Sequence, residues 1–314
     1  MGYLFSLIVL GFVLAKLQAI PDNTQTVLAK LENDLFIPAL VLGTFMKEFT
    51  LSNISSYTWA LITSCVLLCF AVPIAFGVAA MCTKEKYKKN LYIYGMTFPN
   101  FGFMGNAVVG ALFPAVFAEY LIYTLPMWAL IYVWGVPSLL IPHDSPHKHT
   151  IGDRLKGFLN PMMISLFIGI ILGVSGVGAA LPESSFVIKI IDVLGSCMSP
   201  VAMLLTGVTV AKMDFKKTFS DKGIYISAVF RLAIIPAAFI ALFYLVKKLL
   251  AALPDSVVIC AMSALSMPLG LNTIVIPSAY GKDTSAATGM AIVSHLLSCA
   301  SIPLMFMLMQ KILL

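Results

Sequence analysis

Charge is what this chain has least of. Asp, Glu, Lys and Arg make up only 11% of its 314 residues, against 60% hydrophobic residues and a mean hydropathy of +0.97. So little polar surface cannot cover a water-soluble globule of this size, and lipid must solvate most of it. Acidic residues are missing altogether from 91–113 and 257–280, which argues against cation antiport through carboxylates in those segments. Neither H-E-x-x-H nor a pair of intramembrane aspartates occurs, so the group set of an intramembrane enzyme is missing too. There is no C-x-x-C. Cys65, Cys69, Cys82, Cys197, Cys260 and Cys299 all fall in or at the end of apolar segments and read as small buried apolar residues, neither a disulfide frame nor a metal site. The longest polar connection, 142–156, is too short to fold alone. The first segment has no basic n-region and no small-residue cleavage site, so it reads as a retained helix.

What is present is a series of apolar segments. A bilayer span needs about 20 mostly apolar residues, and ten segments qualify: 2–20, 33–51, 56–82, 91–113, 116–141, 157–178, 186–210, 223–246, 256–280 and 285–310. Placing both termini outside puts fourteen of the twenty Lys and Arg in cytoplasmic connections, with the 84–89 cluster and Lys216–Lys217 among them. That bias sets the orientation, and it accounts for the net charge of +6 without nucleic acid as a partner. In the 142–156 connection, His143, His147 and His149 with Asp144 have metal-ligand chemistry, the other reading being a solvated polar face.

The chain also repeats itself. IVLG at 8–11 returns as IILG at 170–173 and Pro38 as Pro200, both at an offset of 162; Pro73 returns as Pro236 at 163 and Asn106 as Asn272 at 166. Copies separated by five spans must run in opposite directions through the membrane. The expected fold is therefore an all-α polytopic membrane protein of ten transmembrane helices in a five-plus-five inverted repeat, 1–141 and 157–314 joined by the cytoplasmic connection 142–156.

Spans 4 and 9 carry helix breakers at matching places, Pro99, Gly102 and Gly105 in one and Pro268 and Gly270 in the other. Proline removes an N–H and glycine weakens the helix. The freed backbone groups are tolerated only where protein buries them or a cavity exposes them. Asn106 and Asn272 can close that backbone, bind a ligand, or do both. Half-helix N-termini meeting at midplane favour an anionic group, and two kinked helices with packing glycines are the plainer reading.

The run FPNFGFMGNAVVGALF at 98–113 resembles the span-4 signature of the auxin efflux carrier family, approximately (L/F)-x-N-x-G-F-M-G-x-P-(L/V)-V-x-A-x-(F/Y). MPLGLNTIVIPSAYGKD at 267–283 is similar to its span-9 counterpart and GFVLAK at 11–16 to its first span, so the resemblance covers essentially the whole chain. It implies a fold of the wider bile acid/arsenite/riboflavin transporter-like superfamily, with a scaffold of spans 1, 2, 6 and 7 that often dimerises. It further implies a transport domain of spans 3–5 and 8–10 whose broken helices 4 and 9 cross at the substrate site. Elevator-like alternating access for small organic anions, mono- or dicarboxylates, goes with that fold. Family members commonly have Pro at the positions of Ala107 and, in the plant branch, Thr273; the short central connection makes a bacterial-type carrier the closer likeness.

The resulting expectation is a secondary carrier of a small organic anion, a homodimeric permease in the plasma membrane, with no cofactor and no metal. The alternative is a transporter-like sensor that binds such a ligand without net flux. Substrate-binding candidates are Asn100, Gly102, Asn106, Ala107, Pro268, Gly270, Asn272 and Thr273. Arg231 lies about 12 Å into span 8 at the helical rise, where its role is substrate binding or gating, or else pairing with helix carbonyls. His295, in the middle of span 10 beside Ser294 and Ser298, is a candidate for proton coupling or a hydrogen-bonded histidine inside the bundle.

Overall fold

The computed structural model describes residues 2–51, 57–141, 161–182, 184–212, 221–249, 253–279, 282 and 284–314. Secondary structure among them is helical apart from one isolated bridge between extended residues. The 142–156 connection with His143, His147, His149 and Asp144 lies outside the described residues, as do Lys216 and Lys217.

Among the described residues, five helices are long and apolar enough to cross a membrane: α3 (Thr58–Cys82), α6 (Pro114–Leu140), α8 (Phe186–Ala211), α9 (Lys222–Leu249) and α12 (Ser285–Ile312). The remaining helices are shorter or interrupted. α1 covers Gly2–Lys16 and ends four residues before the expected boundary, because Gln18 takes a left-handed φ of +54° and Ala19 N–H returns to Leu14 O. α2, residues 24–48, runs through a π turn at Glu32–Phe36. α7 (Pro161–Val174) stops at Gly176, whose φ of +73° suits glycine. Segment 4 is divided into α4 (Lys86–Thr97) and α5 (Phe101–Leu112), and segment 9 into α10 (Asp255–Leu265) and α11 (Asn272–Ala279).

Apolar side chains occur all round these helices, as lipid solvation requires. On α3, Ile62, Val66, Phe70 and Ile74 recur at four-residue spacing on the exposed side, while Ala60, Thr63, Ser64 and Leu67 are buried. Cys65, Cys69 and Cys299 are exposed, Cys82 and Cys197 half-buried and Cys260 buried, so the expectation that all six thiols are buried holds for one of them. A thiol is apolar enough to face lipid.

The chain divides into two compact units, Met1–Thr58 with Ser145–Ala211 and Trp59–Asp144 with Lys212–Leu314. The first holds α1, α2, α7 and α8. Its helices approach closely through glycine: a Cβ on Gly11 would strike the carbonyl of Leu204, and one on Gly207 the carbonyl of Ile8. Lys47 of α2 pairs with Asp192 of α8 at 2.7 Å. The second unit holds α3–α6 and α9–α12 and contains every residue of the candidate site.

Candidate functional site

The local sequence dictates the two breaks. α4 makes its last helical bond from Phe98 N–H to Tyr94 O, 2.8 Å, and Pro99 then offers no donor to continue. Pro268 and Gly270 interrupt the other helix after Leu265. The two extended pieces bond to each other: Pro99 and Leu269 form an antiparallel bridge, and Asn100 N–H donates to Pro268 O at 2.7 Å. Only glycine fits at 270, since a Cβ there would lie 2.8 Å from Phe98 O. Other freed groups also find partners. Leu269 N–H donates to Ser294 Oγ of α12 at 3.2 Å, and the Thr273 hydroxyl donates to Gly270 O at 2.7 Å. The breaks are thus sealed by protein, the condition for irregular backbone at membrane depth.

Beyond the breaks the chain turns helical again. α5 opens as a π turn over Phe101–Gly105, with Gly105 N–H reaching Asn100 O at 2.9 Å. α6 braces that turn: the Tyr120 hydroxyl donates to Phe101 O at 3.0 Å, and a Cβ on Gly102 would sit 2.7 Å from the Trp128 ring. A small pocket of about 10 Å³, no more than one water molecule needs, lies at the crossing, lined by Asn100, Gly102, Gly270 and Asn272 together with Tyr94 and Trp128, among others.

Two cationic or titratable side chains reach the crossing from neighbouring helices. Arg231, 1% exposed, sits in a π turn of α9 (Phe230–Ile234) and donates to Met96 O at 2.9 Å and to Leu265 O. These carbonyls belong to the C-terminal ends of α4 and α10, where helix carbonyls have no intrahelical partner and the dipole is negative. His295 of α12 places Nδ1 2.6 Å from Ala291 O and Nε2 3.0 Å from Asn100 Nδ2.

The sequence profile described as Membrane transport protein matches residues 1–306. The chain belongs to that family, the auxin efflux carrier family. No match was found among curated protein sequences. As an auxin efflux carrier family member the chain is a multi-pass membrane transport protein and not an enzyme.

Of the residues singled out from sequence in this auxin efflux carrier family chain, Asn100, Gly102, Gly270 and Asn272 line the pocket. Pro268 and Thr273 are in or beside the break and serve its backbone. Asn106, 7% exposed, opens the α-helical part of α5 six residues beyond Asn100, with Ala107 after it; neither lines the pocket. Arg231 gives its two terminal nitrogens to helix carbonyls and keeps a buried Nε without a partner among the described residues, and His295 reaches the pocket only through Asn100. Sequence reasoning missed Tyr94 and Trp128, and named Ser294 only as a neighbour of His295. Aromatic and hydroxyl residues are common in apolar spans, and the one available signal was glycine at 102, which needs a bulky neighbour.

Proposed function

We propose that this chain is a secondary carrier of a small organic anion, a mono- or dicarboxylate, working by elevator-like alternating access in the plasma membrane with both termini outside. The observation that carries this reading is the crossing itself. Two broken helices hold each other at Pro99 and Leu269, and their second halves begin beside a pocket that contains two asparagines and no acid. N-termini contribute partial positive charge there. The opposing C-termini of α4 and α10 are neutralised by Arg231, so the net field favours an anion.

The five-plus-five inverted repeat is supported by packing as well as by sequence spacing. Gly11 of IVLG approaches the main chain of Leu204 on α8; Gly173 of IILG approaches the carbonyls of Phe45 and Phe49 in and after α2. The same motif thus makes the same kind of close contact in each half of the first unit. In this reading ten spans form the fold, the unit of α1, α2, α7 and α8 is the scaffold and the homodimer contact, and the other unit is the moving transport domain.

The test is counterflow in proteoliposomes preloaded with pyruvate, malonate, malate, succinate, 2-oxoglutarate or indole-3-acetate. Saturable exchange of a carboxylate supports the carrier. Binding without exchange would replace it by a sensor built on the same fold.

A further inference from the structure

Both ring nitrogens of His295 are engaged, and their partners fix the proton. Nδ1 faces the carbonyl oxygen of Ala291 at 2.6 Å. A carbonyl only accepts, so Nδ1 carries the hydrogen, and in the neutral ring Nε2 is then a bare acceptor. Asn100, 3.0 Å away, must meet it with its amide NH2. The end left over is Asn100 Oδ1, which is buried and has no hydrogen-bond partner among the described residues. Asn272 Oδ1 is in the same position. Both side chains belong to residues that line the pocket. Their unpartnered buried atoms are acceptors, the wrong kind for a carboxylate, whose oxygens only accept, and the Tyr94 hydroxyl is the one unpartnered buried donor among the described residues of the lining.

One proton reverses this. We infer that His295 and Asn100 form a proton-binding site that recruits the anion, so that a carboxylate and a proton are bound together. Hydronium gives its proton to His295 Nε2 and leaves as water; the new Nε2–H donates to Asn100 Oδ1. The amide turns over about its Cβ–Cγ bond, and its NH2 becomes free to donate to a carboxylate in the pocket. No other bond is made or broken.

Countercharge makes the two events joint. α12 packs against α4, α9, α10 and α11. The buried ionisable groups on those elements are Tyr92 and Tyr94 of α4, Arg231 of α9 and Cys260 of α10, and none is a carboxylic acid. Their other ionisable groups are the lysines and Tyr87 of α4, Lys222, Tyr225, Tyr244, Lys247 and Lys248 of α9 and Asp255 of α10; α11 carries none among its described residues. Asp255 opens α10 and is paired with Lys247. An imidazolium at 295 would therefore be a buried charge on a helix packed against the turn that carries Arg231, with no buried acid on the surrounding elements to balance it, a costly arrangement. A carboxylate in the pocket supplies the balance. By linkage each ligand then raises the affinity of the other by the same factor.

The inference rests on the carboxylate-carrier reading above, and the experiment separates the two. Replacing the other three histidines, His143→Ser, His147→Ser and His149→Ser, leaves His295 as the single imidazole for nitrogen-15 NMR in nanodiscs. Near neutral pH without carboxylate the ring should be neutral and protonated at Nδ1. Saturating malonate or malate should convert it to the doubly protonated form. In proteoliposomes containing a pH dye, one proton should enter with each carboxylate. The carboxylate affinity should rise by up to about tenfold per unit fall in pH, and His295→Gln should remove the pH dependence of whatever counterflow remains. A neutral ring protonated at Nε2, or a ring that stays neutral while malonate or malate exchanges, overturns the inference alone. Absence of exchange for every carboxylate overturns the carrier reading and this inference with it.

Discussion

Arg231 on α9 donates to the main-chain carbonyl of Leu265, the last residue of α10, and the same guanidinium reaches Met96 near the end of α4. One cation thus caps the negative ends of both first half-helices, which sequence symmetry alone would leave facing each other uncompensated. A planar fork can serve two carbonyls in different directions; an ammonium on a shorter reach serves them less well.

Arg231→Lys should therefore lose one of the two bonds, a cost of about 1.5–3 kcal/mol for a charge-assisted contact, read as a lowered midpoint in thermal unfolding of the detergent-solubilised protein. Arg231→Leu should be worse, since it leaves both carbonyls without a partner. A direct role in holding the anion predicts something else, a loss of substrate affinity with unchanged stability. An unfolding midpoint in Arg231→Lys equal to that of the native protein would remove the capping role.

The asparagines should separate by their distance from the break. Asn272 lines the pocket and Asn106 does not. Asn272→Ala should reduce counterflow by about tenfold or more, the effect of losing an interaction with the bound anion, while Asn106→Ala impairs it less and both variants still reach the membrane. Equal loss in the two, measured as kcat/KM against expression, would place the binding site further along α5.

The residues explain why some of this was legible in sequence and some was not. Phe186–Ala211 and Ser285–Ile312 fall within two residues of the segments read from hydropathy, because an uninterrupted apolar run has no competing signal. The π turns at Glu32–Phe36, Ile131–Leu140 and Phe230–Ile234 went unread, since one extra residue per turn leaves no mark in composition. At the site, matching the halves by spacing pairs Asn106 with Asn272. The helix, however, breaks where Pro99 removes a donor, and that brings Asn100 to the pocket instead. The contact between Asn100 and His295 joins residues 195 positions apart, and no local pattern reports it.

Glycine positions give a paired test of the crossing. A Cβ at Gly270 would lie 2.8 Å from the carbonyl oxygen of Phe98, a main-chain atom that cannot swing aside, whereas Gly77 in α3 has nothing within 4 Å. Gly270→Ala should force the two breaks apart, with transport lost and folded yield reduced. Gly77→Ala should be neutral or add about 0.5–1 kcal/mol of stability, the usual gain from filling a helix position. Native-like transport in Gly270→Ala would mean that the chains do not cross as closely as the bridge between Pro99 and Leu269 requires.

Glu32 poses the remaining energetic problem. It lies in the π turn of α2, is fully buried, and neither carboxyl oxygen has a hydrogen-bond partner among the described residues. Burying a carboxyl group without partners is unfavourable in either protonation state, and the charged form costs most. An amide of nearly the same shape cannot ionise and brings donors of its own. Glu32→Gln should therefore melt at the same temperature as the native protein or slightly above it. Glu32→Lys puts a charge in the same place on a longer side chain and should fail to fold. A clear fall in the melting temperature of Glu32→Gln would show instead that the acid depends on a partner, and the place to look would be the main chain of Ala202 on α8, which lies against it.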